Sequence, residues 1–523
     1  MHLPAHIPRR HFLRALTGAA GLGTLGWPAH ALTPDDSTPG AWQAEFDAAL
    51  PQRPWLAAYA GVATDAPTLP MTVQGRWPHD LRGSLYRNGA TRFGLAGQRY
   101  HHWFDGDGMV QRYRVSAQGI SHTGRFVRTP KFQAETAAGR LLYDAFGTRP
   151  ANAEPLQSPD QINVANISVM MNGGALYALW EGGSAMQIDP ETLQTRGFKT
   201  WAPDYAGMAF SAHPKTEPHD GSVWNFGVSS GVGLLTIYHI SAQGQLLKTA
   251  NLKVPNTPMI HDFAITRRHL VFLMPPLVYE QARAQDGATF LDSHVWRPDL
   301  GMRVLVLPKD QLDKPQWLQL PAGFTFHVGN AWDDASGRAI HLDYVRSPNA
   351  DLVQHGLREM MRGRQPELNA EAHHTLLTLD LAKGRATQQA GLRNVEFPRV
   401  DPRRVGLRHR QVAMVQRLAP ASEGGIGFDT VSLLDVDNGH LQRWRYASGV
   451  IAEEHIVVPR TGKGARASDA WIVGTALDIP RQRMLLSVFD AQHLNGGPIA
   501  QASAPRLMPH GLHAIWVPES GAV

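Results

Sequence analysis

Residues 430–444 read TVSLLDVDNGHLQRW: an alternating apolar run, a polar turn built on Asp437-Asn438-Gly439, and a second run that ends on Trp444. Alternation at period two turns one face of each run toward a core, and Asn or Gly at the turn supplies the positive φ angles that a tight hairpin needs. The same pattern returns at Val115-Ser116-Ala117-Gln118-Gly119-Ile120, Met171-Asn172-Gly173-Gly174-Ala175 and Ile240-Ser241-Ala242-Gln243-Gly244-Gln245. Larger strand–hairpin units, Ala185 to Gly197, Leu234 to Leu246, Leu376 to Thr387, Thr430 to Trp444 and Met484 to Ile499, recur roughly every 50–70 residues, a spacing that fits propeller blades. The repeat is loose, and by itself it leaves a pair of β-sandwiches as the rival.

Composition points the same way. The 50 Gly and 37 Pro are spread along 523 residues, which suits many short strands joined by tight turns better than long helices. The sequence has no cysteine, so disulfides, thiolate zinc sites, iron–sulfur clusters and cysteine nucleophiles are excluded, and any metal must sit on His, Asp or Glu. The formal charge of +5 would fall to +2 on removal of Arg9, Arg10 and Arg14, too little to argue for nucleic acid or an acidic membrane surface.

Those three arginines open an N-terminal address. Arg9-Arg10-His11-Phe12-Leu13-Arg14 precedes a short apolar run, Ala15 to Trp27, and then Ala29-His30-Ala31. A charged region, a short apolar region and a small-x-small cleavage signal stand in the order of an export signal, and the paired arginines make it a twin-arginine one. We therefore expect residues 1–31 to be a signal peptide read by twin-arginine export machinery, 32–82 a lead-in segment, 83–523 one propeller domain, and a periplasmic or otherwise exported protein with its mature start near Leu32. That route carries folded proteins, so a cofactor can be loaded before export.

Helical signals are few: Trp42 to Leu50, and Asp351 to Gly363 as an excursion from a blade. Neither a phosphate loop nor a dinucleotide fingerprint is present. Trp103-Phe104-Asp105-Gly106-Asp107-Gly108 is glycine-rich but lacks a strand-to-helix setting and reads as a tight turn braced by Asp105 and Asp107.

Of 25 histidines, four share one context: small or apolar residues at the start of a strand-like run. They are His213 in Phe210-Ser211-Ala212-His213-Pro214, His261 in Met259-Ile260-His261-Asp262-Phe263, His327 in Phe324-Thr325-Phe326-His327-Val328, and His513 in His510-Gly511-Leu512-His513-Ala514. The inner strands of a propeller surround one axis, where residues distant in sequence can meet. Four neutral imidazoles there would hold a divalent transition metal and leave positions open; the ligand type does not choose among iron, copper, zinc and nickel.

These contexts, in order after Gly83-Ser84-Leu85-Tyr86-Arg87-Asn88-Gly89 and His102-Trp103-Phe104-Asp105-Gly106-Asp107-Gly108-Met109, resemble the carotenoid cleavage oxygenases over Gly83 to Pro518. The resemblance implies an all-β, seven-bladed propeller with a loop or helix cap over the metal-containing axis. It also implies one iron(II) on His213, His261, His327 and His513, with Glu181, Glu396 and Glu454 behind three of them. A carboxylate that accepts the second ring N–H of a ligand histidine fixes its tautomer and orientation. The implied reaction is oxidative cleavage of a carbon–carbon double bond of a carotenoid or apocarotenoid by dioxygen, with apolar walls choosing the bond.

A stilbene-type dioxygenase acting on a phenolic, lignin-derived alkene is the alternative, with Tyr100 and Lys131 in segments that could meet a substrate hydroxyl. A further alternative is a periplasmic metal-binding propeller without oxygenase activity. The tandems His101-His102 and His373-His374 cannot chelate together, because neighbours on a strand face opposite ways, and His510 reads as a residue of a turn or of the layer behind the ligands. Last, Leu273-Met274-Pro275-Pro276-Leu277-Val278-Tyr279 is apolar and broken by prolines. It reads either as an exposed patch around Leu277 and Val278 for peripheral membrane contact or as residues that line the core or the tunnel.

Overall fold

The 430–444 hairpin forms as read, with strands Thr430–Asp435 and Leu441–Arg445 antiparallel and Gly439 at φ 74° in the turn between them. The computed structural model describes residues 40–366, 371–420, 427–460 and 469–519. The export signal and the expected mature start lie outside the described residues. At Gly173-Gly174, φ angles of 57° and 75° close the two-residue turn between Ser168–Asn172 and Ala175–Leu179, a conformation open to glycine at little cost.

Seven antiparallel sheets succeed one another as the blades of a propeller. Their inner strands are, in ring order, Ala514–Pro518, Ser168–Asn172, Lys215–Thr216, Ala264–Ile265, Val328–Asp333, Val395–Arg399 and Val450–Pro459. Successive inner strands touch at most of the joints between blades. Middle strands are covered on both faces, as in Ala470–Asp478, which is buried throughout, whereas the outermost Arg385–Arg393 is largely exposed. Apolar side chains fill the wedges between blades. Val304 and Leu318 of the fourth blade pack with Ala331, Leu342 and Leu377 of the fifth, and Phe226 and Leu235 of the third with Phe263, Phe272 and Leu305 of the fourth.

The ring closes with both chain ends. Ala514–Pro518 pairs with Gly83–Arg87 in the first blade, and Thr72–Gly75 forms the outer edge of the seventh against Ala500–Ala504. Ala66–Pro70 is the outer strand of the first blade, so the propeller takes in part of the 32–82 lead-in segment. Closure pairs strands that would otherwise be open sheet edges.

The cap is assembled from excursions. Helix Ala41–Ala49 buries Trp42 and Phe46, and its Glu45 pairs with Arg362 and Arg364 just after helix Leu357–Met361. The wider π-helical turn Leu352–Gly356 leads into that helix, so the expected excursion over 351–363 is present. Helix Pro130–Ala138, which lacks an apolar stripe of helical period, went unread; Thr129 caps it by accepting the Phe132 amide.

The apolar segment at 273–279 is not an exposed patch. Leu277–Tyr279 pairs with His294–Trp296, Leu277 and Val278 are both buried, and Leu277 packs with Leu291, Phe324 and Val353. Prolines 275 and 276 end one strand and start another within the core, which corrects the membrane-contact reading of these residues.

Candidate metal centre

Each of the four histidines stands just before an inner strand: His213 before Lys215–Thr216, His261 before Ala264–Ile265, His327 before Val328–Asp333 and His513 before Ala514–Pro518. The loop entering the strand, rather than the strand itself, aims the ring at the axis. All four are buried, and one ligand-capable nitrogen from each lies within 4.8 Å of the others. His213 Nε2 is 2.9 Å from His261 Nε2, and His327 Nε2 is 3.1 Å from His513 Nε2.

The Nδ1 atoms face carboxylates. His513 Nδ1 lies 2.9 Å from Glu454 and His327 Nδ1 2.5 Å from Glu396, while His261 Nδ1 pairs with Glu181. Each carboxylate comes from a blade other than that of its histidine. Glu181, Glu396 and Glu454 thus each stand against one of the four histidines. Among the described residues His213 has no such partner at hydrogen-bonding distance: its Nδ1 is 4.0 Å from Asp262, which is held by Lys215 at 2.7 Å.

Local backbone irregularity makes these contacts possible. Glu453 and Glu454 occupy a register break between Ala452 and His455. On a regular strand they would face opposite ways; here both are buried. Glu454 serves His513 and the Ala514 amide, whereas Glu453 accepts from Thr475 and the Gly511 amide. Gly511 has a steric role, since a Cβ there would stand 2.5 Å from Cδ of Arg87, whose guanidinium donates to the Leu512 and Glu454 carbonyls. At the second break, Phe397 adopts φ 54°, which strains a non-glycine residue, and its amide donates to Glu396 at 2.7 Å. Its ring stacks on His327 at 5.1 Å.

Electrostatics hold two of the four rings neutral. Burial, then the neighbouring imidazoles, hold His213 well below its ordinary value, and burial pushes His513 down to about 3 despite Glu454. Burial also pulls on His261, but the Glu181 carboxylate outweighs it and raises that ring. Burial would raise Glu454, yet Arg399, His513 and Arg87 hold it below the usual carboxylate range. With Nδ1 protons donated to carboxylates, the Nε2 lone pairs of His261, His327 and His513 converge with that of His213. Such a donor set repels itself without a cation and suits a divalent transition metal, with Glu181, Glu396 and Glu454 supplying negative charge behind it.

Beside the cluster runs a cavity with largely aromatic walls. Phe104, Phe146, Phe326, Phe397 and Phe428 line it with Trp103 and Trp180, and His261, His327 and His513 reach its surface. Phe326 packs on His261 and Phe104 on Phe326. The sequence reading missed these aromatics as cavity walls, although Trp103-Phe104, Trp180, Phe326 and Phe397 all flank residues it had singled out.

The other flagged residues are structural. His102 is buried between the Val353 carbonyl and the Phe104 amide, and His101 stacks on Trp42. His374 pairs with the buried Asp343, which also meets His409. Asp105 accepts from Gly147 and Thr148, and Asp107 from Arg92 and Lys131, bracing the turn. Tyr100 and Lys131 are fully buried with Glu135 in one network and are not among the residues lining the cavity. His510, expected at a turn or in the layer behind the ligands, is buried and does line it.

Comparison with known proteins agrees with this geometry. The family pattern described as retinal pigment epithelial membrane protein (RPE65) matches residues 59–518. An apocarotenoid-15,15'-oxygenase of Synechocystis sp. is 29% identical over 88% of this chain and 96% of its own. A lignostilbene-alpha,beta-dioxygenase of Sphingomonas paucimobilis is 28% identical over 86% and 94%. The crystal structure of cobalt-substituted Synechocystis ACO superposes with a TM-score of 0.79 at 28% identity, covering 90% of this chain and 99% of that one.

Proposed function

The chain belongs to the retinal pigment epithelial membrane protein family of carotenoid cleavage oxygenases, and from that premise we propose that it is a non-haem iron(II) dioxygenase that splits a carbon–carbon double bond of a carotenoid or apocarotenoid. One observation carries the reading: four histidines converge on one point at the wall of an aromatic cavity, and carboxylates fix three of their rings. Iron(II) on His213, His261, His327 and His513, one per chain, would supply the reaction with dioxygen that yields two carbonyl fragments.

The residues of this chain supply the rest. Phe104, Phe326 and Phe397 offer flat faces against which a conjugated chain can lie, and they keep bulk water from the double bond. Glu181, Glu396 and Glu454 hold the Nδ1 protons, so that Nε2 remains the donor atom. No protein acid or base is needed beside the cluster.

The lignostilbene relative supports the phenolic alkene as a second substrate class. Tyr100 and Lys131, the residues first considered for its hydroxyl, bond to each other and to Glu135 instead. Export of the folded protein through the Arg9-Arg10 signal belongs to the same reading. Delivery of a long polyene from an apolar phase would need a surface other than Leu277 and Val278.

The test is dioxygen uptake by iron-loaded protein with a carotenoid, an apocarotenal and a hydroxystilbene, followed by mass spectrometry of the aldehydes. Aldehyde pairs from one substrate class fix that class. Uptake with none of them returns the chain to a metal-binding propeller without oxygenase activity.

A further inference from the structure

Most polar groups on the cavity wall are committed elsewhere. Glu181 and Glu396 serve histidines, Asn349 donates to Asp351, and Asn394 donates to Glu371. Others are not, among them Trp103 Nε1, buried without a partner among the described residues, and two side chains that stand together. Tyr59 is 1% exposed and lines the cavity, and its hydroxyl makes no hydrogen bond among the described residues. His510 is 3% exposed, lines the same cavity, and leaves Nδ1 buried without a partner among the described residues. Buried polar groups are paired in the great majority of proteins, and the exceptions ask for an explanation.

These two side chains form one unit. Their rings lie nearly parallel at 5.9 Å and both meet Trp103 edge-on, at 5.5 and 5.4 Å. The His510 amide donates to the Ala58 carbonyl, and Arg99 ties the Tyr59 carbonyl to the carbonyl of Met361. The pair therefore joins the loop that carries His513 to the turn Pro54–Tyr59 and the cap helix, held by backbone bonds that do not depend on a ligand. Its chemistry limits the ligand. Burial keeps Tyr59 protonated and His510 neutral; the Glu453 carboxylate acts on both and is opposed at His510 by Arg87. A neutral donor–acceptor pair suits an uncharged oxygen.

We propose that Tyr59 and His510 are a specificity-determining pair that holds an uncharged oxygen function, a hydroxyl or keto group, on an alkene whose double bond lies at the histidine cluster. The inference rests on the oxygenase reading above. It adds that the substrate is oxygenated at one end, in a cavity otherwise built for hydrocarbon.

The test is anaerobic binding to the metal-loaded full chain, followed by tryptophan quenching, of a ring-hydroxylated apocarotenal and its deoxy counterpart. The hydroxylated compound should bind about 10-fold tighter, the contribution of one to two hydrogen bonds. Tyr59→Phe and His510→Phe keep the aromatic packing, and each should shrink that preference to about twofold or less while leaving affinity for the deoxy compound unchanged. Equal affinities in the unsubstituted protein, binding of neither compound, or an equal loss on both in the variants would overturn the pair. Dioxygen uptake separates the two readings: turnover without discrimination strikes the pair alone, and discrimination without turnover strikes the oxygenase reading alone.

Discussion

The carboxylate of Glu454 lies 2.9 Å from Nδ1 of His513, across the seam where the seventh blade meets the first. Its other oxygen takes the Ala514 amide at 2.7 Å, and Arg399 pairs at 2.9 Å with the oxygen that faces His513. One side chain thus orients a candidate ligand and anchors the strand that closes the ring. Glu454→Gln should lower metal affinity by about 10- to 100-fold and also lower the melting temperature. Glu396→Gln, whose partner lies away from the seam, should match the first effect and show little of the second. Metal titration and thermal unfolding of both variants decide this.

Each of His213→Ala, His261→Ala, His327→Ala and His513→Ala should abolish bound iron or turnover, because three imidazoles leave a quarter of the donor set missing. Elemental analysis of the purified variants gives the iron content. A variant with full metal and full activity would remove its residue from the site.

Lys131 is fully buried, with Asp107 at 3.1 Å and Glu135 at 3.0 Å. Lys131→Met would leave the buried Glu135 without its cation and Asp107 with Arg92 alone, a break that costs about 3–5 kcal/mol. Denaturant unfolding should show that loss. Unchanged stability combined with a selective loss of phenolic-substrate turnover would instead put Lys131 in contact with substrate.

Four histidines away from the metal centre are held neutral by burial: His102 and His122 at about 3, His294 and His455 at about 4. In the unfolded chain each titrates near 6.5, so below that value unfolding takes up protons that the folded protein refuses. Their stabilising effect is complete above pH 6.5 and declines as the pH falls toward the folded values, by up to about 1.4 kcal/mol per pH unit for each histidine. The urea midpoint of metal-free protein should therefore fall between pH 7 and pH 5, and His102→Gln should flatten the decline. A midpoint constant over that range would refute the assignment.

Changing Arg9 and Arg10 together to Lys should trap the protein in the cytoplasm, as read by fractionation and by the N-terminus of the exported form. Normal export of the double variant would end the twin-arginine reading.

Much of this molecule is written locally. Hairpins such as 430–444 declare themselves through alternation and turn residues, and the ligand candidates through apolar residues before a strand. The Glu396 and Glu454 contacts were reachable only through resemblance, because a register break and a positive φ at Phe397 decide where those carboxylates point. Periodicity carries no mark of either. The failure at Leu277 and Val278 has a similar origin: an apolar run reads alike on a surface and in a core, and pairing with His294–Trp296 across an insertion settles which. Tyr59 and His510 were out of reach for the same reason, since they are 451 residues apart in the chain and meet only at the joint between cap and ring.

Ring closure carries one more consequence. His513 precedes the strand Ala514–Pro518, which completes a blade begun by Gly83–Arg87 some 430 residues earlier. The fourth imidazole therefore arrives only when the tail has docked on the head. A chain cut short, or stalled before its ends have found each other, presents three imidazoles at most, and a bound metal ion becomes a receipt for completed synthesis.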